Sequence, residues 1–180
     1  MAAATGEGRP GHAVDERAFA ALNGEAAATA DALLAGLTEL GSIAAAAGAA
    51  GVLAASGRRR AAVGGLGAAA AMWVVGQALK RATDRPRPCD QPGRARLLIE
   101  RPDSSSWPSS HPGVLLAFLT VAGRELGLRR PARRRLAALA GVVALSRVAV
   151  GVHWPSDVAG GLLLGRAVGD VWSAARWPPG

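Results

Sequence analysis

The sequence predicts an all-α protein, a multi-pass transmembrane helical bundle of about five spans. Three observations lead to this prediction. Half of the 180 residues are hydrophobic and only 19% are charged. The apolar residues form long runs, and the longest uncharged one, residues 61–79, approaches the ~20 residues that a helix needs to span a bilayer. Arginines and prolines cluster between the runs, as expected for loops at a membrane surface.

Composition excludes several other classes of protein. A disordered basic chain needs low hydrophobicity, and a disulfide scaffold needs paired cysteines, whereas Cys89 is alone. The 24 glycines lack the regular spacing of collagen. A net charge of +8 alone would suggest nucleic acid, but the apolar runs favour lipid head groups as its partners. We therefore expect membrane lipids as partners and no nucleic acid.

The sequence of residues 1–56 predicts a tail, a surface helix and one membrane span. Residues 1–13 are small and polar, which is typical of a disordered tail. From Val14 to Leu37 the pattern is helical but includes acidic residues, so we expect a surface or partly inserted helix. The uncharged stretch 41–56, lengthened by residues 33–40, predicts a span, although a carboxylate at Glu39 is costly in hydrocarbon.

Four further apolar runs complete the predicted bundle. They cover residues 61–79, 112–123 (extendable to 128), 136–152 and 158–172. We interpret residues 14–175 as one domain and 176–180 as a C-terminal tail. The arginine runs at 58–60 and 129–135 are interpreted as solvated loop charges.

Three glycines, at positions 161, 165 and 169, share one face of the last predicted span. Small residues at four-residue spacing let a neighbouring helix approach closely. The pattern favours packing within the bundle, and a dimer interface is the alternative.

Reactive polar side chains concentrate in three segments, residues 80–88, 108–112 and 146–157. These segments hold the chain's only lysine and two of its three histidines. The cations Lys80, Arg87 and Arg147 can bind one phosphate, because guanidinium and ammonium groups donate to phosphate oxygens. Since Arg147 falls in an apolar run, where a lone charge is costly, it should face a polar cavity and a partner anion.

Both histidines stand at predicted helix starts. Pro112 follows His111 directly, Pro155 follows His153 by two residues, and proline is favoured in a first helical turn. The free backbone N–H groups of a helix start attract anions. Two helix starts and three cations therefore predict a phosphate site.

A carboxylate four residues after His153 makes that histidine the stronger nucleophile candidate. Asp157 can accept a proton from one imidazole nitrogen, which raises the nucleophilicity of the other. His111 would protonate the leaving oxygen as a general acid, and Ser109 and Ser110 would add hydroxyl and backbone donors. Spacing alone leaves the order of these roles open. Zinc bound by two histidines and one aspartate is the alternative, which three nearby cations disfavour.

Together the three segments resemble the signature of the type 2 phosphatidic acid phosphatase (PAP2) superfamily. Its motifs Lys-x6-Arg-Pro, Pro-Ser-x-His and Ser-Arg-x5-His-x3-Asp all occur here in order, across residues 80–157. Ser110 stands where the family usually has glycine.

The resemblance implies a membrane-bound, metal-independent phosphatase with no cofactor and with its site at the membrane surface. In it, His153 becomes the phosphohistidine, Asp157 orients it and His111 is the acid. The residues implied in phosphate binding are Lys80, Arg87, Ser109, Ser110 and Arg147.

Two functions remain open. The first is a phosphatase acting on a polyprenyl phosphate or diphosphate, or on a phosphatidate-like lipid. The second is a non-enzymatic membrane protein that binds or translocates anionic lipid. The complete catalytic set favours the phosphatase.

Charge also predicts the orientation of the bundle in a cell membrane. Ten basic residues fall on the predicted cytoplasmic side and ten on the side of the predicted site. Three of the second group are the cations Lys80, Arg87 and Arg147, and without them ten basic residues on the cytoplasmic side stand against seven on the other. The positive-inside rule, together with the resemblance, then predicts an extracytoplasmic active site.

Overall fold

The computed structural model describes residues 10–24 and 28–176, and within them every regular secondary-structure element is a helix. The α-helices are α1 Pro10–Leu22, α2 Ala28–Thr38, α3 Ile43–Ala55, α4 Arg59–Ala82, α5 Ser110–Glu125, α6 Arg130–Ala149 and α7 Pro155–Arg176. Short 3₁₀ turns occupy Glu39–Gly41 and Pro88–Asp90. The all-α prediction is confirmed for the described residues.

Helix α5 lies at the centre of the bundle and packs against α4, whose buried surface is mainly glycine and alanine. Phe118 and Val121 of α5 are buried in this contact. A Cβ added at Gly65 would lie 3.0 Å from the Phe118 ring. The small residues of α4 therefore let two helices approach closely enough to bury large side chains from one of them.

The glycines of α7 also face α5. A Cβ at Gly169 would lie 2.9 Å from Cβ of Thr120, and one at Gly165 would collide with the backbone of Gly113. The prediction that these glycines pack within the bundle is confirmed. This contact holds the start of α7 beside the start of α5.

The predicted first span is broken at residues 39–42, where helices α2 and α3 meet at a bend of 67°. Ser42 begins α3, because its hydroxyl accepts a hydrogen bond from the N–H of Ala45 at 3.0 Å. The bend presses Gly41 against α5, where an added Cβ would lie 2.7 Å from Cβ of His111. The break thus brings the chain against the second motif.

The prediction of about five spans needs correction. Among the described helices, Arg59–Ala82 alone is long and apolar enough to cross a membrane, and the bent pair Thr29–Gly41 and Ile43–Ala55 passes the same test jointly. By length and composition, the described helices therefore provide one membrane span, or two if the bent pair forms a single span. Helix α5 has only 16 residues, and α6 and α7 carry several charges.

Two segment boundaries also differ from the sequence prediction. Helix α1 begins at Pro10, so residues 10–13 are helical, while residues 1–9 and 177–180 lie outside the described residues. The arginines at positions 130 and 133–135 belong to α6 and are not loop charges. Pro131 in the first turn favours this early helix start.

Gly165→Val should destabilise the protein by about 1–3 kcal/mol or more, because the new side chain would meet backbone that cannot rotate away. Thermal unfolding in detergent would measure the effect. Gly141→Val in α6 is the matched control, since a Cβ at Gly141 meets no atom within 4 Å. Equal changes in the two variants would contradict the proposed packing constraint.

Candidate active site

The three motifs converge at one end of the bundle, around a cavity of about 240 Å³. The last turn of α4, the start of α5, the last turn of α6 and the segment before α7 meet there. Six of the eight predicted site residues line it: Lys80, Arg87, Ser110, His111, Arg147 and His153. Ser109 and Asp157 are buried behind this wall.

Backbone carbonyl groups hold two of the cations in place. Lys80 donates from Nζ to the carbonyl oxygen of Ser105 at 2.8 Å. The guanidinium of Arg87, which is 2% exposed, donates to the carbonyl oxygens of Ser104 and Val152, each at 2.8 Å. These bonds connect the loop after α4 to the segment before α7 without using a carboxylate.

Arg147 is buried in the last turn of α6 and lines the cavity, as its position in an apolar run predicts. It donates from Nη1 to the hydroxyl of Thr38 at 2.9 Å, and its Nε is buried without a partner in the described residues. Within these residues no carboxylate forms an ion pair with Arg147. The side chain of Thr38 comes from α2, and no pattern in the sequence predicts this contact.

The imidazole ring of His153 lies between the cations and a carboxylate. Its Nε2 lies 3.3 Å from Nη1 of Arg87, and its Nδ1 lies 3.5 Å from Oδ2 of Asp157. Complete burial lowers the pKa of His153 well below its usual value, and the charges of Arg147 and Arg87 lower it further. The imidazole is therefore neutral near pH 7, and one of its ring nitrogens carries a lone pair.

Asp157 is anchored by groups other than the histidine. Its Oδ2 accepts a hydrogen bond from the N–H of Trp154 at 2.8 Å, and its Oδ1 accepts one from Nη1 of Arg85 at 2.6 Å. Nδ1 of His153 has no hydrogen-bond partner among the described residues. The carboxylate is thus fixed within reach of the imidazole, and a shift of a few tenths of an ångström would join the two.

The two serines of the second motif have different surroundings. The N–H of Ser109 donates to the carbonyl oxygen of Asp157 at 3.0 Å, so it is not free to bind phosphate, which departs from the prediction for that group. Ser110 lines the cavity, and its hydroxyl is buried without a partner in the described residues. A Cβ at Gly76 would lie 2.8 Å from that hydroxyl oxygen, so only glycine leaves it room.

Sequence reasoning missed a network centred on Arg85. Its Nη2 donates to Asp15 of α1 at 2.7 Å, and its Nη1 donates to the Ser156 hydroxyl at 2.8 Å as well as to Asp157. Asp15 also accepts from the N–H of Ser156 at 2.9 Å. Arg85 lies inside the first motif, which could have drawn attention to it, but nothing local identifies Asp15 as its partner 70 residues away.

The alternative zinc site is not assembled in the described part of the chain. There, no group of three or more histidine, cysteine, aspartate or glutamate side chains is arranged to hold a metal ion. Three cations instead face the two histidines, an arrangement that favours an anion.

Two solved structures share this fold. The chain superposes on the crystal structure of Aquifex aeolicus LpxE with a TM-score of 0.75, at 22% identity over 87% of this chain and 93% of the other. It also superposes on the first transmembrane PAP2 type phosphatidylglycerolphosphate phosphatase from Bacillus subtilis, with a TM-score of 0.76, at 20% identity over 96% and 89% of the chains. At these identities the comparison establishes the fold alone.

The chain is also similar in sequence to proteins of Mycobacterium tuberculosis. Two Mycobacterium tuberculosis proteins, each named decaprenylphosphoryl-5-phosphoribose phosphatase, are 39% identical over 114 residues, which is 63% of this chain and 60% of theirs. The aligned part thus covers less than two thirds of these relatives. The family model of the PAP2 superfamily matches residues 60–178, a range that contains all three motifs. On this match, the chain belongs to the PAP2 superfamily.

Proposed function

We propose that this protein is a metal-independent phosphatase that hydrolyses a lipid phosphate or diphosphate through a phosphohistidine intermediate. The orientation of His153 supports this function most directly. One imidazole nitrogen faces the cationic cavity, and the other faces a carboxylate at 3.5 Å. This is the geometry that a nucleophile needs when its target is an anion.

In the proposed first step, the Nε2 lone pair of His153 attacks phosphorus and the bond between phosphorus and the lipid oxygen breaks. His111 donates a proton to the departing oxygen. A bound phosphate places negative charge beside His111, which favours the protonated form that this step requires. Asp157 accepts a hydrogen bond from Nδ1 and stabilises the positive charge that develops on the phosphorylated imidazole.

In the second step, water attacks the phosphohistidine and loses a proton to His111. The bond between Nε2 and phosphorus breaks, and inorganic phosphate leaves. Throughout, Lys80, Arg87 and Arg147 stabilise the charge on the phosphoryl oxygens. Ser110 adds a hydroxyl donor, and the buried hydroxyl of Ser109 could reach the phosphate only after a side-chain rotation.

The cavity itself favours a lipid substrate. Its lining also includes the apolar side chains of Ile43, Trp73 and Val114, and Trp73 is 42% exposed. A volume of 240 Å³ is smaller than the ~300–1,000 Å³ of sites that enclose whole ligands. A phosphate group would enter while the hydrocarbon chain stays outside, against the apolar wall.

A polyprenyl phosphate or diphosphate is the proposed substrate class, and a phosphatidate-like lipid is the alternative. The mycobacterial relatives are named for a decaprenylphosphoryl sugar phosphate, which supports a polyprenyl chain. Pro102 and Ser104 of the loop before α5 line the cavity and are placed to contact the head group.

We further propose that the bundle is a multi-pass membrane protein. Large apolar side chains are exposed on six of the described helices, as lipid contact requires; they include Val52, Val63, Val74, Leu145, Leu163 and Val171. Some charges that keep α6 and α7 from resembling spans are buried at the site, among them Arg147 and Asp157. The arginine-rich end would face the cytoplasm, and the active site would face outward.

Removing the nucleophile should abolish hydrolysis. His153→Ala is expected to lower phosphate release about 10³-fold or more, because the covalent intermediate cannot form. Phosphate release from polyprenyl diphosphate and from phosphatidate would measure the effect, and acid-labile labelling with [³²P]substrate would report the phosphohistidine. EDTA should leave the wild-type rate unchanged.

His12→Ala, which alters the histidine outside the three motifs, serves as the matched control for this experiment. Full activity of the His153→Ala variant, or complete loss of wild-type activity in EDTA, would contradict the mechanism. Lipid binding that His111→Ala leaves intact, with no phosphate released from any substrate, would favour the non-enzymatic alternative.

Arg85→Ala should lower kcat by about 10²-fold with little change in KM, because Asp157 would lose the partner that positions it while the phosphate-binding cations remain. Arg85→Lys should restore only part of the rate, since one ammonium cannot replace the two-nitrogen bridge between Asp15 and Asp157. Steady-state kinetics in detergent would separate kcat from KM.

Arg81→Ala is the control for the Arg85 variants, because Arg81 is an exposed cation in the last turn of α4, four residues before Arg85. Thermal unfolding of each variant would separate misfolding from a catalytic effect. A rise in KM at unchanged kcat would show that Arg85 binds substrate and does not position Asp157.

A further inference from the structure

A second cavity, of about 420 Å³, lies at the opposite end of the bundle from the proposed active site. The second half of α5, the first half of α6 and the middle of α7 form it, and no residue of the active site lines it. Its volume falls within the range of ~300–1,000 Å³ that is usual for ligand sites. Arginine side chains form the rim of this cavity, and apolar side chains form its wall.

The rim carries far more positive than negative charge. The five arginines that line it are Arg124, Arg130, Arg133, Arg134 and Arg166. Asp170 accepts hydrogen bonds from Arg124 at 2.5 Å and from Arg166 at 2.6 Å. Among the described residues, the three arginines from α6 form no ion pair, and Nε of Arg133 is buried without a partner. An anion in the cavity would relieve their mutual repulsion.

The fold holds this rim in place. A Cβ at Gly123 of α5 would lie 3.4 Å from Cγ of Arg133, so the stem of this arginine packs along α5 and its charged end reaches the cavity. Helix α6 begins at Arg130, so the free N–H groups of its first turn lie at the same end. Both features favour an anion at the rim.

The wall below the rim is apolar. Leu119 and Leu116 precede Arg124 by five and eight residues on α5, so they lie roughly 7 and 12 Å further along the helix, at 1.5 Å per residue. Ala137 of α6 lines the same region. A soluble phosphate would use only the rim, whereas a lipid with a phosphate head and hydrocarbon chains would use both parts.

We propose that this cavity binds the phosphodiester head group of an anionic two-chain phospholipid from the surrounding membrane, with its acyl chains along the apolar wall. This inference rests on the membrane placement proposed above. Basic pockets between membrane helices are suited to such head groups, because guanidinium donates to phosphate oxygens at the lipid surface. Since bound lipid favours the folded bundle, it stabilises α6, which carries Arg147 at its other end.

The test compares purified protein in nanodiscs of phosphatidylcholine with and without phosphatidylglycerol. Phosphatidylglycerol should raise the thermal midpoint of the wild type in a saturable manner, and native mass spectrometry should detect one or two retained phosphatidylglycerol molecules. The variant R130Q/R133Q/R134Q should bind phosphatidylglycerol about tenfold more weakly. The matched control, R58Q/R59Q/R60Q, removes the same charge at the same end of the bundle but outside the cavity, and should behave like the wild type.

A second variant protects the test against misfolding of the triple mutant. Ala137→Phe keeps every charge and fills the apolar wall, so it should also weaken retention of phosphatidylglycerol. Equal losses in the two arginine triples would overturn the proposal in favour of general surface attraction. Unchanged binding in both R130Q/R133Q/R134Q and Ala137→Phe would overturn it as well, and so would preferential retention of a phosphomonoester lipid.

A hydrolysis assay distinguishes failure of the proposed lipid site from failure of the proposed phosphatase function. In phosphatidylcholine alone, R130Q/R133Q/R134Q should hydrolyse substrate as fast as the wild type, because the altered residues lie away from the active-site cavity. Failure of the phosphatase mechanism would appear in both lipids, whereas failure of the lipid site would appear only as a missing response to phosphatidylglycerol. Loss of hydrolysis by this variant in phosphatidylcholine, with wild-type stability, would contradict the separation of the two sites.

Discussion

The structure depends on keeping three cations, Lys80, Arg87 and Arg147, buried around one cavity, where no carboxylate of the described residues forms an ion pair with any of them. Burial of an unpaired charge is costly, and three like charges near one cavity also repel one another. Carbonyl oxygens of Ser104, Ser105 and Val152 accept hydrogen bonds from two of these cations, and Thr38 accepts one from the third. Neutral acceptors hold the side chains without cancelling their charge, so the attraction for a phosphate remains.

The carboxylates near the active site form ion pairs with an arginine that does not line the cavity. Asp157 stands behind His153, the proposed nucleophile, and pairs with Arg85, which in turn pairs with Asp15 of α1. Two further acidic residues of the N-terminal helices also pair with arginines of the loop before α5, Glu16 with Arg94 and Asp31 with Arg96. The N-terminal helices therefore anchor the basic loop that carries Arg87, and a segment that resembles a simple surface helix becomes part of the support of the site.

Positive charge is divided between the two ends of the bundle, and its surroundings differ at each end. At the active site the cations face two histidines and a small cavity, which suits transfer of a phosphoryl group. At the other end arginines surround a larger cavity with a leucine wall and no histidine, which suits binding without chemistry. Close packing of the glycines of α7 against α5 joins the two ends into one bundle.

The sequence by itself determined the helical architecture, the family resemblance, the candidate reactive groups among its polar residues and the packing role of the α7 glycines. These properties follow from local composition and spacing, such as the four residues between His153 and Asp157. Only the tertiary structure decided the bend at residues 39–42, the contact of Thr38 with Arg147, and the bridge from Asp15 through Arg85 to Asp157. These depend on residues about 70 to 110 positions apart, and no local pattern encodes which distant partner a buried charge will contact.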